Sequence, residues 1–319
     1  MSLCVIVRSV RARVVRASVV VATAAVFVAG CGSAPPRATS ASIGVAAQPN
    51  GIAVRPGDGA LFITDDRDNA VLWSSDHATF ARYATVPAVP GQPNALSQPA
   101  FARQDTLLVA RFGFGSAGAL VSVSASGDAS VLTGLVPQRR RLGLVSLGPG
   151  RALSSWFVKS GSQPNAGGVS VVTYDDDTHA ATERDLIAGL SKPVGIAVGG
   201  DTLFVSDQAR GVILRYGLPA LLAARSPASA GVAFARVDGP DLLAVDHAGA
   251  LYTKCGDHGL CRIAPDGAVT TLADDFSDAR GVAVDDARHT LYAVDRVKGA
   301  GATSAIRVFP LSEGTSASH

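Results

Sequence analysis

The chain carries little charge and almost no methionine: 17% of its 319 residues are Asp, Glu, Lys or Arg, and one is Met. Beyond the first thirty residues it has no long run of apolar residues at helical spacing, so nothing in the pattern supports a mainly helical domain. It lacks a nucleophile elbow, an H-E-x-x-H pair and a phosphate-cradling glycine loop, which removes three common routes to catalysis. His77, His179, His247, His258, His289 and His319 are scattered, with no pair at metal-ligand spacing. Glycine and proline are plentiful, 34 and 17 residues in a chain that is 47% hydrophobic. That balance fits an all-β domain rich in turns.

The first thirty residues differ from the rest. Arg8, Arg11, Arg13 and Arg16 form a basic start, and the 14 residues from Ala17 to Gly30 are apolar. A spanning helix needs about 20 such residues, so a cleaved export signal over 1–30 is expected. Val28-Ala29-Gly30-Cys31 resembles the lipobox of bacterial lipoproteins, which implies that Cys31 becomes the acylated first residue. A polar tether over 31–42, with Pro35 and Pro36, then links lipid to domain. The expected address is the cell envelope, facing the periplasm, with the membrane as a partner through the lipid. Gly32 in place of Asp after the cysteine leans toward the outer of two membranes. The leader holds four of the 28 Lys and Arg and none of the 26 Asp and Glu, which leaves 24 cations against 26 anions. A domain of that balance has no basic stripe for nucleic acid.

Four cysteines sort in the same way. Cys4 leaves with the leader and Cys31 takes the lipid, so Cys255 and Cys261 remain, flanking the turn CGDHGLC. In an oxidising compartment a disulfide across that hairpin is expected. Closing so short a loop stabilises the fold by about 2 kcal/mol.

Lys192 to Tyr216, KPVGIAVGGDTLFVSDQARGVILRY, reads as three short strands joined by hairpins. The same grammar recurs from Gly51, Leu242 and Gly281. Second strands align as Leu61–Asp65, Leu107–Arg111, Ala152–Trp156, Leu203–Asp207, Leu251–Cys255 and Leu291–Asp295, with their ends 46, 45, 51, 48 and 40 residues apart. A period of 40 to 50 with strands alone is the mark of propeller blades, each too small to bury both of its faces by itself. The expectation is a six-bladed β-propeller over 43–311 with a disordered tail over 312–319. Five units have room for a fourth strand, such as Phe80 to Val86. The sixth ends after Ala305 to Phe309, so Ile43 to Ala46 is expected to supply its outer strand and close the ring.

The P-x-G-I-A-V … L-[FY]-V-x-D … V-x-R pattern of the first, fourth and sixth units resembles the NHL-type and gluconolactonase-like (senescence-marker-protein-like) six-bladed propellers. That superfamily includes lactone hydrolases, lyases and binding scaffolds, so the resemblance implies a fold more than an activity. It also implies that the residue before each first strand lines the channel mouth, here Asn50, Asn94, Leu142, Val194, Asp241 and Arg280. In the lactonase-like enzymes the matching ring carries a Glu, two Asn and an Asp that hold a divalent metal. Here Gln48-Pro49-Asn50 stands where the first-blade acid belongs, and Leu142 and Val194 are apolar. Asn50, Asn94 and Asp241 offer three oxygens and one charge, opposed by Arg280. Calcium wants six to eight oxygens, so the expected cofactor is none, with calcium or another divalent ion at the channel mouth as the alternative.

Asp65, Asp207 and Asp295 recur with the fold at the ends of second strands, and are expected to cap backbone amides rather than to act as acids or bases. Long glycine-rich hairpins from Arg111, Trp156 and Asp295 open on the channel-mouth face. Their aromatic and cationic side chains nominate Arg111, Phe112, Trp156, Lys159, Arg280 and Arg296 as ligand-binding residues. Arg139-Arg140-Arg141 enters from the same side, with Asp65, Asp66, Asp207 and Asp278 as counter-charges. The expected function is a monomeric lipoprotein whose propeller binds a protein or small molecule as a scaffold. The alternative is a gluconolactonase-like, metal-dependent lactone hydrolase.

Overall fold

The computed structural model describes residues 40–311 except 160, 162, 163, 230 and 300. The leader, Cys31 and most of the tether lie outside the described residues, as does the tail from 312. Six four-stranded antiparallel sheets form the blades. The first strands of neighbouring blades touch all the way round, and the sixth meets the first. This is the six-bladed propeller that the repeat period implies.

Residue alternation explains why the ring holds together. In the second strand of the first blade, Leu61–Asp65, every residue is buried. Leu61 and Ile63 join a cluster with Tyr292, Val294 and Ile306 of the sixth blade, whereas Phe62 joins one with Leu107 and Val109 of the second. Among the described residues six apolar clusters lie at the six junctions between blades. Burying one such side chain contributes roughly 1.5–3 kcal/mol, and neither half of a cluster exists in a blade alone.

Closure follows the expected route with slightly different bounds. The outer strand of the sixth blade is Ala41–Val45, paired antiparallel with Ser304–Pro310 in a register that sets Ile43 opposite Ile306. Ala41 and Ser42 therefore belong to the sheet and not to the tether. Cys255 and Cys261 are disulfide-bonded across their hairpin. A six-residue helix, Leu218–Ala223, lies between the third and outer strands of the fourth blade, where the repeat pattern shows no helical signal.

Candidate active site at the channel mouth

Five of the six first strands reach the channel through a break in the ladder. Pro49 pairs with Asp65, Leu96 with Arg111, Arg141 with Trp156, Pro193 with Asp207 and Ala279 with Asp295, and the register shifts immediately afterwards. The residue after each of these pairs faces the channel: Asn50, Ser97, Leu142, Val194 and Arg280. Asp241 completes the ring from the fifth blade, and all six line one cavity of about 500 Å³. A second cavity of about 520 Å³, at the opposite end of the strands, contains His247 and Asp286 but none of the ring residues.

Side-chain hydroxyls and glycines hold the ring at close quarters. Thr64 Oγ1 accepts from the Gly51 amide at 2.8 Å and donates to the Ser97 carbonyl at 3.0 Å. Ser155 and Ser206 repeat the relay, reaching the carbonyls of Val194 and Asp241. A Cβ at Gly195 would stand 2.3 Å from the Asp241 carbonyl, and one at Gly281 would stand 2.6 Å from that of Asn50. Only glycine lets adjacent blades approach so closely.

This register places the second-blade ring position at Ser97 and not at Asn94. Pro93-Asn94 imitates Pro49-Asn50 in sequence, but the strand begins at Leu96, so Asn94 falls in the approach loop. It lines a separate cleft with Pro87, Gln92 and Arg111. Arg111 points the same way, donating to the carbonyls of Ala117 at 2.9 Å and Pro87 at 3.0 Å. Trp156 is buried in its own blade, where Nε1 donates to Ser170 Oγ and the Arg139 guanidinium lies 3.7 Å from its ring centroid. Phe112, Lys159, Arg280 and Arg296 do line the cavity. They are joined there by Asp66, Arg140, Phe114, Phe157 and Lys192.

The strand-end aspartates serve the backbone. Asp207 accepts from the amides of Ser191 and Lys192, Asp295 from those of Ser277 and Asp278, and Asp65 from those of Gln48 and Arg67. In each case they fix the loop entering the first strand; Asp65 also braces the following hairpin through the Arg67 amide, and Asp207 does so through an ion pair with Arg210 at 3.3 Å. Asp66, one residue further along, differs. Its Oδ1 accepts from the Leu96 amide at 2.7 Å and its Oδ2 lies 3.2 Å from Arg296 Nη1. Burial dominates over both contacts and pushes its carboxyl up to about 6.

Cations outnumber anions around the cavity. Arg280 donates from Nε and Nη2 to Asp278 at 3.0 and 2.8 Å, and its Nη1 lies 3.3 Å from Asp241 Oδ2. Asp278 also takes Lys254 at 3.1 Å and Arg296 at 3.4 Å. Burial alone would raise its carboxyl, but the charge of Arg280 and the bonds from Lys254 and Arg280 hold it below the ordinary range. Lys192 donates to Gln208 Oε1, and its ammonium is shifted down, first by burial. Lining cations Arg140, Lys159, Lys192, Arg280 and Arg296 thus face the lining carboxylates Asp66 and Asp241.

No protein-family model and no curated protein matches the chain. Solved structures do. A gluconolactonase from Xanthomonas campestris is 20% identical with a TM-score of 0.62, over 86% of this chain and 94% of that one. A luciferin-regenerating enzyme is 11% identical at 0.62, over 86% and 96%. A calcium-binding protein, regucalcin, from Agrobacterium tumefaciens is 16% identical at 0.60, over 82% and 92%. The chain has the fold of gluconolactonase-like propellers. The expectation of a binding or scaffold module is corrected here: two of these three structures are named as enzymes, which favours the lactone-hydrolase alternative.

The residues at the ring do not fit a divalent cation. Asn94 is elsewhere, which leaves Asn50 and Asp241 of the three expected ligands, and Asp241 faces Arg280. Among the described residues no group of three or more His, Cys, Asp or Glu is placed to hold a metal. A guanidinium beside the one ring carboxylate opposes a dication by charge alone.

Proposed function

We propose that the channel-mouth pocket hydrolyses a cyclic ester of the lactone class, and that its own side chains supply the charge stabilisation that a metal supplies elsewhere. The observation that carries this reading is Asp66, a carboxyl raised to about 6 on the wall of a cavity with an excess of cations. A carboxylate of that basicity suits general-base work near neutral pH. It is also held in one orientation by the Leu96 amide and Arg296.

In the proposed reaction Asp66 takes a proton from water as the water oxygen bonds to the lactone carbonyl carbon. The carbonyl electrons move onto oxygen, and the guanidinium of Arg280, fixed by Asp278 and Asp241, stabilises the oxyanion. The ring C–O bond then breaks, and the leaving oxygen takes a proton from the Lys192 ammonium, whose lowered affinity for the proton favours the transfer. The product is an open hydroxy acid; Asp66 returns its proton to solvent and Lys192 recovers one. A panel of five- and six-membered lactones, followed by acid release, tests the proposal. Asp66→Asn is expected to lower kcat by about two orders of magnitude or more. Hydrolysis no faster than buffer across the panel, or an Asp66→Asn enzyme as fast as the parent, would overturn it.

The same reading keeps the enzyme in the cell envelope, facing the periplasm and tethered through lipid on Cys31. The support is in the sequence: the basic start, the 14-residue apolar run, the Val-Ala-Gly-Cys box and the polar stretch after it.

A further inference from the structure

Arg139, Arg140 and Arg141 are consecutive, yet their surroundings differ. Arg139 is paired with Glu183 at 2.8 Å and Asp185 at 2.6 Å, and Arg141, fully buried, is paired with Glu183 at 2.8 Å. Arg140 alternates to the other side of the strand and faces the cavity. Its guanidinium carbon lies 5.2, 5.3 and 5.7 Å from the ring centroids of Phe112, Phe114 and Phe157. These rings contact one another edge to face, with Phe112 central to the group. Among the described residues no carboxylate lies within ion-pair distance of Arg140 or of Lys159, the second cation on this wall.

A half-buried guanidinium without a counter-ion is an incomplete arrangement. The ring faces attract it through their quadrupoles, but they cannot fill its in-plane donors. A carboxylate can, through paired charge-assisted hydrogen bonds. The same phenylalanines offer an apolar surface to whatever carries that carboxylate. On the far side of the cavity Asp66, Arg280 and Arg296 are already tied into a network with Asp241 and Asp278.

We infer that the pocket selects a substrate with a carboxylate on an apolar body, bound by Arg140 and Lys159 against Phe112, Phe114 and Phe157, with its ester ring turned toward Asp66. This inference rests on the hydrolase reading for the ring but not for the anion. A neutral polyhydroxylated lactone would leave both cations unmatched and set hydroxyls against three phenylalanines.

Two measurements on the chain from Ser33 separate the claims. The first is equilibrium binding of phenylacetate against phenylacetamide, its uncharged counterpart. Wild type is expected to favour phenylacetate, and Arg140→Gln to weaken phenylacetate by about tenfold or more while leaving the amide unchanged, as losing one charge-assisted contact implies. Lys159→Gln, in an exposed loop, gives a second and smaller loss in a protein whose folding is not in question. Equal binding of acid and amide, or no effect of either substitution, overturns the anion site. The second is hydrolysis of a γ-butyrolactone bearing a carboxylate substituent against the same lactone bearing the amide. Turnover of both at one rate overturns the anion site and leaves the hydrolase; turnover of neither, with Arg140-dependent phenylacetate binding, overturns the hydrolase and leaves the anion site.

Discussion

Arg280 Nη1 lies 3.3 Å from Asp241 Oδ2 at the channel mouth, so the one ring carboxylate faces a guanidinium. A ligand that binds only the folded state raises stability by RT ln(1 + [L]/Kd), and a site with opposing charge gains nothing from millimolar calcium. Calcium or a chelator is therefore expected to leave Tm unchanged. A calcium-dependent rise in Tm that Asp241→Ala abolished would show that a dication displaces Arg280.

Asp66 links activity and stability to pH in opposite directions. Its carboxyl, raised from an ordinary 3.8 to about 6, binds its proton more tightly in the folded chain than in the unfolded one. Folded stability from this group is present below about pH 4 and is lost as pH rises to about 6. The loss is roughly 3 kcal/mol, since tightening proton binding a hundredfold on folding is worth about that much. Hydrolysis should rise across pH 6 as the base loses its proton. The stability of Asp66→Asn relative to wild type should increase from pH 4 to 7 in denaturant titrations; a constant difference would mean that Asp66 has an ordinary pKa.

Thr64 stitches the first blade to the second. Thr64→Val keeps the shape but removes the acceptor for the buried Gly51 amide and the donor for the Ser97 carbonyl. The expected cost is about 1–3 kcal/mol in urea unfolding. A loss within error would show that water or a relaxed backbone satisfies both groups.

Removing Ala41–Val45 should open the ring. A chain beginning at Gln48 leaves the strand Ser304–Pro310 as an unpaired edge and takes Val45 out of its cluster with Ile306 and Tyr292. Compared with a chain from Ser33, it is expected to melt earlier and to aggregate on concentration. Equal melting of the two would mean that the sixth blade is stable with three strands.

Cys31→Ser should abolish metabolic labelling with palmitate and shift the protein out of the membrane fraction. Acyl chains contribute about 0.8 kcal/mol per buried methylene, so two or more hold a protein firmly. Labelling and fractionation unchanged by the substitution would sink the lipid anchor.

The blade count, the closing strand and the disulfide were legible in the chain itself, because each rests on local signals. Two-residue alternation marks strands, glycine turns mark hairpins, and a period of 40 to 50 residues leaves a sixth unit one strand short. Four of the six nominated ligand-binding residues also reach the pocket, since loops at one end of a propeller share a face. Arg111 and Trp156 do not, because a strand-end side chain can turn inward or into its own blade, and only packing chooses. Ring membership depended on a register shift that no motif records, so Pro93-Asn94 imitated Pro49-Asn50 while Ser97 held the position. Asp66 was legible only as a counter-charge on the channel-mouth face, with no signal of a role as a base. Its raised pKa arises from burial, and is tempered by the Leu96 amide of the neighbouring blade 30 residues away and by the Arg296 side chain 230 residues away. The separation of Arg140 from its two paired neighbours is likewise tertiary: alternation turns it to the cavity, and three phenylalanines from two blades decide what it meets there.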